Sequence, residues 1–442
     1  MFQQTVDRKI DDVTEQGLTR VLPGKFVLAV IVGGVIGLGI LRGPGEIAEV
    51  IPDPFLYLAF WLLCGLFVLL STAVTAELVA MTPRSGGTYS LIRRAYGPYP
   101  GFVIGWVDWL SFVGDIALKA VVILEFVAML FPETVAWRTG LAISVTTVFA
   151  ALQLRGIALS ALIQEFATAA IGVVVVGLAL VLFFVEAPAN SATELIPART
   201  GLSDWSLVIA TIIFTYDGWL YAAYFSGEIK GGAGAVARSC IKGVVIVIAL
   251  YMLLNAALVN SVGLAALAGS DLALARALEL AVSPAAGSAV VIAAILILLS
   301  HQNLAYMGAP RILHALAVDG FAVKRAQKVG KGGNPLFAVL VTWILSVGLI
   351  LIGGFEFLLL LSVFFFVPLH LALIIGVLIL RRREPDSDRP YRAWGHPYST
   401  LACLIAWTLI TLFQAYVERE TAVYALAMVA VSWPVYWYLT RK

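Results

Sequence analysis

The sequence predicts an all-α integral membrane protein. Twelve transmembrane helices are expected, arranged as a five-plus-five inverted repeat with discontinuous helices 1 and 6. Three observations predict this: an apolar surplus too large for a soluble core, positive charge that alternates between successive loops, and helix-breaking residues in the middle of two spans.

The surplus comes first. Of 442 residues, 61% are hydrophobic and 13% charged, with mean hydropathy +0.96. Soluble domains are about half apolar and a quarter charged. Segments of roughly 20 apolar residues, enough to cross a bilayer, fall at 25–50, 55–81, 101–130, 138–154, 157–185, 205–227, 240–263, 285–313, 335–353, 355–380, 398–417 and 420–440. The segment 138–154 is short, and only "GGFE" divides the ninth span from the tenth.

Loop charge fixes the count. With the N-terminus inside, cytoplasmic loops should hold most Lys and Arg. Arg84, Arg93 and Arg94 follow span 2, Arg155 follows span 4, and Lys230, Arg238 and Lys242 follow span 6. Arg311, Lys324, Arg325, Lys328 and Lys331 follow span 8, and Arg381, Arg382, Arg383, Arg389 and Arg392 follow span 10. The outer loops keep Arg138, Arg199, Arg276 and Arg419. Both termini are therefore expected in the cytoplasm, with the protein multi-pass in the cell membrane. The stretches 83–100 and 311–335 mix basic and aromatic residues and are expected as short amphipathic helices along the cytoplasmic surface, the alternative being solvated linkers.

The expected organisation is a polar cytoplasmic segment (1–24) with no signal-peptide core, a first five-helix repeat (25–185), a second inverted repeat (205–380), and helices 11 and 12 (398–440). An odd number of helices per repeat makes the second repeat enter from the opposite side.

The first span carries "GGVIGLGILRGPG" (33–45). Its glycines lie on several helix faces, which fits close packing or a discontinuous helix that binds a ligand with its own backbone. "IATIIFTYDGWLYAAYFSGE" (209–228) interrupts the sixth span at a matching place in the second half. Two matched interruptions point to an inverted-repeat transporter with a midplane site. A half-helix N-terminus suits a carboxylate, and a half-helix C-terminus suits an ammonium. One such site holds a zwitterion without a charged side chain.

Four stretches in order resemble the amino acid–polyamine–organocation superfamily, in particular the L-type amino acid transporter branch. They are "VIGLGILRGPG", "AELVAMTPRSGGTYSLIRRAYGPYPGFVIGW" (76–106), "FTYDGWLYAAYFSGEIK" (214–230) with "YMLLNAAL" (251–258), and "RPYRAW" (389–394). The resemblance implies that the backbone of Gly37, Leu38 and Gly39 binds a substrate carboxylate. It implies that the carbonyls of Val35, Ile36, Phe214, Thr215 and Asp217 take the ammonium, and that Phe214 is an outer lid. The sequence departs from the pattern in four places. Leu38 replaces a usual Ser, Ile171 stands where many relatives have a lysine, "SGEIKGGAGAVARS" lacks a second Glu and the usual prolines, and Arg42 is atypical.

Charges at membrane depth are functional candidates. Asp217 either contacts the substrate or caps a broken helix end. Asp115 and Lys119 are four apart on one face and form either a structural pair or a charged, proton-responsive wall. Ser300 and His301 sit together in span 8. His301 is a helix–helix partner or a titrating group, and Ser300 alone is a thin basis for sodium coupling. Arg42 is expected to gate the outer side with an acidic partner, or to attract the carboxylate.

The expected function is secondary active transport of amino acids by alternating access, through exchange or proton coupling. Neutral L-amino acids are favoured by the apolar Ile36, Leu38, Phe214 and Trp219. The alternative is a cationic amino acid or polyamine recognised by Asp217 and Asp115. The expected partners are the substrate, the bilayer, and a coupling ion or counter-substrate. Net charge is +2, and the four His and three Cys show no metal spacing, so neither nucleic acid nor metal nor cofactor is expected. His301, His314, His370 and His396 lack the partners a membrane-embedded enzyme needs, and no repeated filter loop suggests a channel.

Overall fold

The structure, a computed structural model, describes residues 17, 18, 20–185, 201–230, 232–352 and 366–441. Among them secondary structure is helical, apart from one parallel bridge between Leu22 and Ile229. Every expected span is met by a helix. The boundary at "GGFE" and most of the N-terminal 1–24 segment lie outside the described residues.

The first span is two helices, α1 (Gly24–Val35) and α2 (Leu38–Val50). Between them Ile36 and Gly37 are extended, and no side chain caps α2. The break has a packing cause as well as a local one. A Cβ on Gly33 would strike Thr168, one on Gly34 Tyr221, one on Gly37 His301, and one on Gly39 Thr215. The four glycines face four different neighbours, which explains why they do not form one stripe.

α3 (Pro54–Met81) starts where Asp53 accepts the Leu56 amide at 2.8 Å, with Pro54 in the first turn. α4 (Thr88–Tyr96) is a short amphipathic helix, as expected for this stretch, and it buries Tyr89, Ile92 and Ala95 against the bundle. Gly105 lets the Tyr89 ring in, and the Tyr89 hydroxyl donates to Asp319 at 2.7 Å. Arg84 and Arg93 pair with the same carboxylate. α5 (Pro98–Leu130) follows, then a 3₁₀ turn (Pro132–Trp137) and α6 (Arg138–Leu152). That turn lengthens the short fourth span to a 24-residue helical stretch, Pro132–Arg155. α7 (Ile157–Phe184) closes the first half.

The sixth span differs from a plain 205–227 helix. α8 (Leu202–Tyr216) stops, Asp217 is extended, and Gly218 has φ +111°. The chain resumes as a 3₁₀ turn, Tyr221–Phe225, closed by bonds such as Tyr221 N–H to Gly218 C=O. α9 (Ala233–Ser261), α10 (Leu264–Leu267) and α11 (Ala273–Ala281) lead to α12 (Pro284–Val318). α12 has 35 residues, about 50 Å, well beyond the bilayer core. Residues 311–318 are thus its buried last turns rather than a surface segment, and Arg311 is 1% exposed. α13 (Leu336–Ile352), α14 (Phe366–Arg383), α15 (Tyr398–Val417) and α16 (Arg419–Thr440) complete the bundle.

Eight helical stretches among the described residues are long and apolar enough to cross a membrane. Side chains such as Phe166, Val173 and Leu412 point outward, as lipid-facing residues must. Inside, α12 packs on α5, α9 on α3 and α1, and α2 on α8. Two buried carboxylates tie the end that carries Arg84. Glu77 accepts from Arg381, Arg389 and the Ala393 amide. Glu228 accepts two bonds from Arg311, at 2.6 and 2.8 Å, and one from Ser85. Arg311 also meets Asn334, which in turn donates to Gln153. Removing one member of such a pair leaves an uncompensated buried charge.

Candidate substrate site

The two breaks meet. A Cβ on Gly218 would lie 2.5 Å from the Gly34 carbonyl oxygen, and one on Gly39 would lie 2.6 Å from Thr215 Cα. A cavity of about 110 Å³ opens beside this junction. Gly34, Val35, Gly37 and Gly39 line it from the first break, and Phe214, Asp217 and Gly218 from the second. α5 adds Asp108, Phe112, Asp115 and Lys119; α12 adds His301, and α14 adds Leu369 and His370.

The local electrostatics follow from helix ends. The first amides of α2 have no intrahelical partner, and Gly37 and Gly39 at this helix end line the cavity. The C-terminal ends of α1 and α8 bring Val35, Phe214 and Asp217 to the same cavity. The Ile36 carbonyl lies 3.0 Å from His301 Nε2, so that nitrogen carries the proton. The Val35 and Thr215 carbonyls lie 2.8 and 2.9 Å from the Tyr251 hydroxyl. A carbonyl has two lone pairs, so these contacts leave acceptor capacity. The surroundings supply unlike charges at unlike saturation. Lys119 donates to Asp115 at 2.6 Å. Asp108 accepts from Tyr224 at 3.0 Å and from Thr88. Asp217 is the more open carboxylate, with its side chain 26% exposed and His370 Nε2 3.9 Å away.

Of the residues singled out in the sequence, Val35, Gly37, Gly39, Phe214, Asp217, Asp115, Lys119 and His301 share the cavity wall. Trp219 is buried beside it, against the His370 ring at 5.2 Å. Thr215 is buried and donates to the Thr211 carbonyl. Ser300 accepts from Gln164 at 3.0 Å, away from the wall. Arg42 pairs with Asp271 at 3.0 Å at the opposite end from Arg84. Leu38 is the first residue of α2, and its side chain lies outside what the structure describes.

Sequence reading passed over Gln164, Thr168 and Tyr251. Thr168 donates to the Ala29 carbonyl at 2.9 Å, and Gln164 joins Ser300 to Asn303. Their signal was present as polar residues within apolar spans, in "ALIQEFATAAIG" and "YMLLNAAL".

Comparison with known sequences bears on this geometry. The family profile described as amino acid permease matches residues 26–439. The serine/threonine exchanger SteT of Bacillus subtilis is 23% identical over 399 residues, 88% of this chain and 90% of that protein. The human cystine/glutamate transporter is 25% identical across 83% of this chain and 74% of its own length. The human b(0,+)-type amino acid transporter 1 is 26% identical across 52% of this chain and 48% of its own length.

Proposed function

Because the chain belongs to the amino acid permease family, a family of transporters and not enzymes, we propose that it carries amino acids by alternating access, with the substrate zwitterion held by the two breaks. The observation that carries this reading is the convergence of an uncapped helix N-terminus and two helix C-termini on one cavity. The α2 amides take the carboxylate, and the carbonyls that end α1 and α8 take the ammonium. The substrate side chain then faces Phe112, Phe214 and Leu369, which favours neutral L-amino acids. The similarity to an exchanger favours exchange over ion coupling. We assign the Arg84 end to the cytoplasm, in keeping with its Lys and Arg content. Arg42 and Asp271 then form the outer closure, and residues 25–185 and 205–380 are the two inverted repeats.

A second reading rests on one observation: Asp217 faces the cavity without the donor set that saturates Asp108. It is a contact for a cationic side chain. A thermal-shift screen of purified protein against amino acids and amines, followed by counterflow in proteoliposomes, tests both. Neutral amino acids should stabilise the protein and exchange. Asp217→Asn should leave their transport within about threefold; loss of cationic transport alone establishes the second reading. If no amino acid stabilises or exchanges, the proposal fails.

A further inference from the structure

We propose that Tyr251 is a positioning residue that shares one proton between the two breaks and leaves one carbonyl for the substrate ammonium. The inference rests on the transport reading above.

Tyr251 lies in α9 and is fully buried, with its ring against Tyr216 and Trp61 at centroid distances of 5.0 and 6.0 Å. Its hydroxyl lies within hydrogen-bond distance of a carbonyl from each discontinuity. Val35 is the last residue of α1, and Thr215 is the penultimate residue of α8. Carbonyls at these positions have no partner within their own helix. Both converge on one phenol oxygen, at 2.8 and 2.9 Å.

A phenol has a single proton. It donates to one carbonyl in full, or to both weakly, and the remaining capacity calls for a second donor. An ammonium held in the cavity beside Val35 has three N–H groups and can supply that donor. The hydroxyl therefore does two jobs. It fixes the separation of the half-helices, and it sets the number of acceptors left for the amine. Asn255 holds the backbone of this turn through its bond to the Tyr251 carbonyl at 2.8 Å, and Tyr57 in turn donates to Asn255 at 2.6 Å. The ring is thus anchored independently of the hydroxyl.

Because the hydroxyl acts on the zwitterion and not on the side chain, its loss should weaken every amino acid by the same factor. The test is Tyr251→Phe in the purified full chain, read by binding of two transported amino acids with different side chains and of one deamino analogue. The expected result is a folded protein whose melting temperature without ligand falls modestly because buried carbonyls lose their donor, about tenfold weaker binding of both amino acids, and a smaller preference over the deamino analogue. Unchanged affinity overturns the proposal, and so does a loss confined to one side chain. A second variant, with 4-aminophenylalanine at position 251, supplies two N–H donors and keeps the ring. It should occupy both carbonyls and lower the preference for the amine. If it matches wild type in that preference, proton sharing is wrong. Failure of wild-type protein to bind any amino acid overturns the transport reading instead.

Discussion

Replacing Gly218 by Ala should damage the site more than its single methyl suggests. Gly218 has φ +111°, a conformation that costs a side-chain-bearing residue about 1–3 kcal/mol. The added Cβ would lie 2.5 Å from the Gly34 oxygen and 2.7 Å from its carbonyl carbon. These are main-chain atoms, so no rotamer change relieves the clash, and overpacking adds about 1–3 kcal/mol. Even the lower sum, about 2 kcal/mol, disfavours the abutting breaks by about thirtyfold. The control is Gly172→Ala in α7, where a Cβ would meet nothing within 4 Å. That variant should be neutral or slightly stabilising, since alanine suits a helix interior better. Both variants should be purified and compared by ligand-induced thermal shift and by proteoliposome uptake. Gly218→Ala should lose at least tenfold in apparent affinity, and Gly172→Ala should match wild type. If Gly218→Ala binds and transports like wild type, the two breaks do not need this contact, and the site as described is wrong.

Other perturbations follow from the ion pairs. Arg42→Ala removes a pair whose Asp271 partner is 74% exposed, so stability should change by less than about 1 kcal/mol. Uptake should nevertheless change if the pair closes the outer side; an unaltered rate and affinity would remove Arg42 from the mechanism. Glu228→Gln leaves Arg311 buried without its counter-charge and should cost about 3–5 kcal/mol, seen as a lower melting temperature in detergent. A melting temperature equal to wild type would show that the pair is not needed for stability.

The sequence made the breaks legible because their causes are local. Gly33 to Pro44 weakens a helix by composition alone, and Asp217–Gly218 does so through a turn that only glycine enters easily. Membrane spans are legible for the same kind of reason, since length and apolarity are properties of one segment. What stayed hidden depends on distant partners. Nothing near His301 in sequence reveals that it meets the Ile36 carbonyl, 265 positions away. Tyr251 and Gln164 read as polar residues in greasy helices until their targets are known. The error at 311–335 has the same root. Its basic and aromatic pattern suits an interface, but Glu228 supplies the counter-charge that buries Arg311 instead. In 83–100 the short helix was legible, but its anchor, Asp319 bonded to Tyr89 and Arg93, was not.

On the proposed reading, a binding wall made of main chain also sets what genetics can see. Truncating side chains to alanine removes nothing from an amide or a carbonyl, and at Gly34, Gly37 and Gly39 it adds bulk instead of subtracting a contact. A mutational scan will therefore report on the supports, such as His301, Tyr251 and Gln164, by lost contacts, and on the glycines only by added bulk. For the same reason, drift at Phe112 or Leu369 can change which side chain is accepted while the grip on the zwitterion stays intact. The experiment matched to such a wall is atomic, with an ester in place of the Gly39 amide, which deletes one N–H and nothing else.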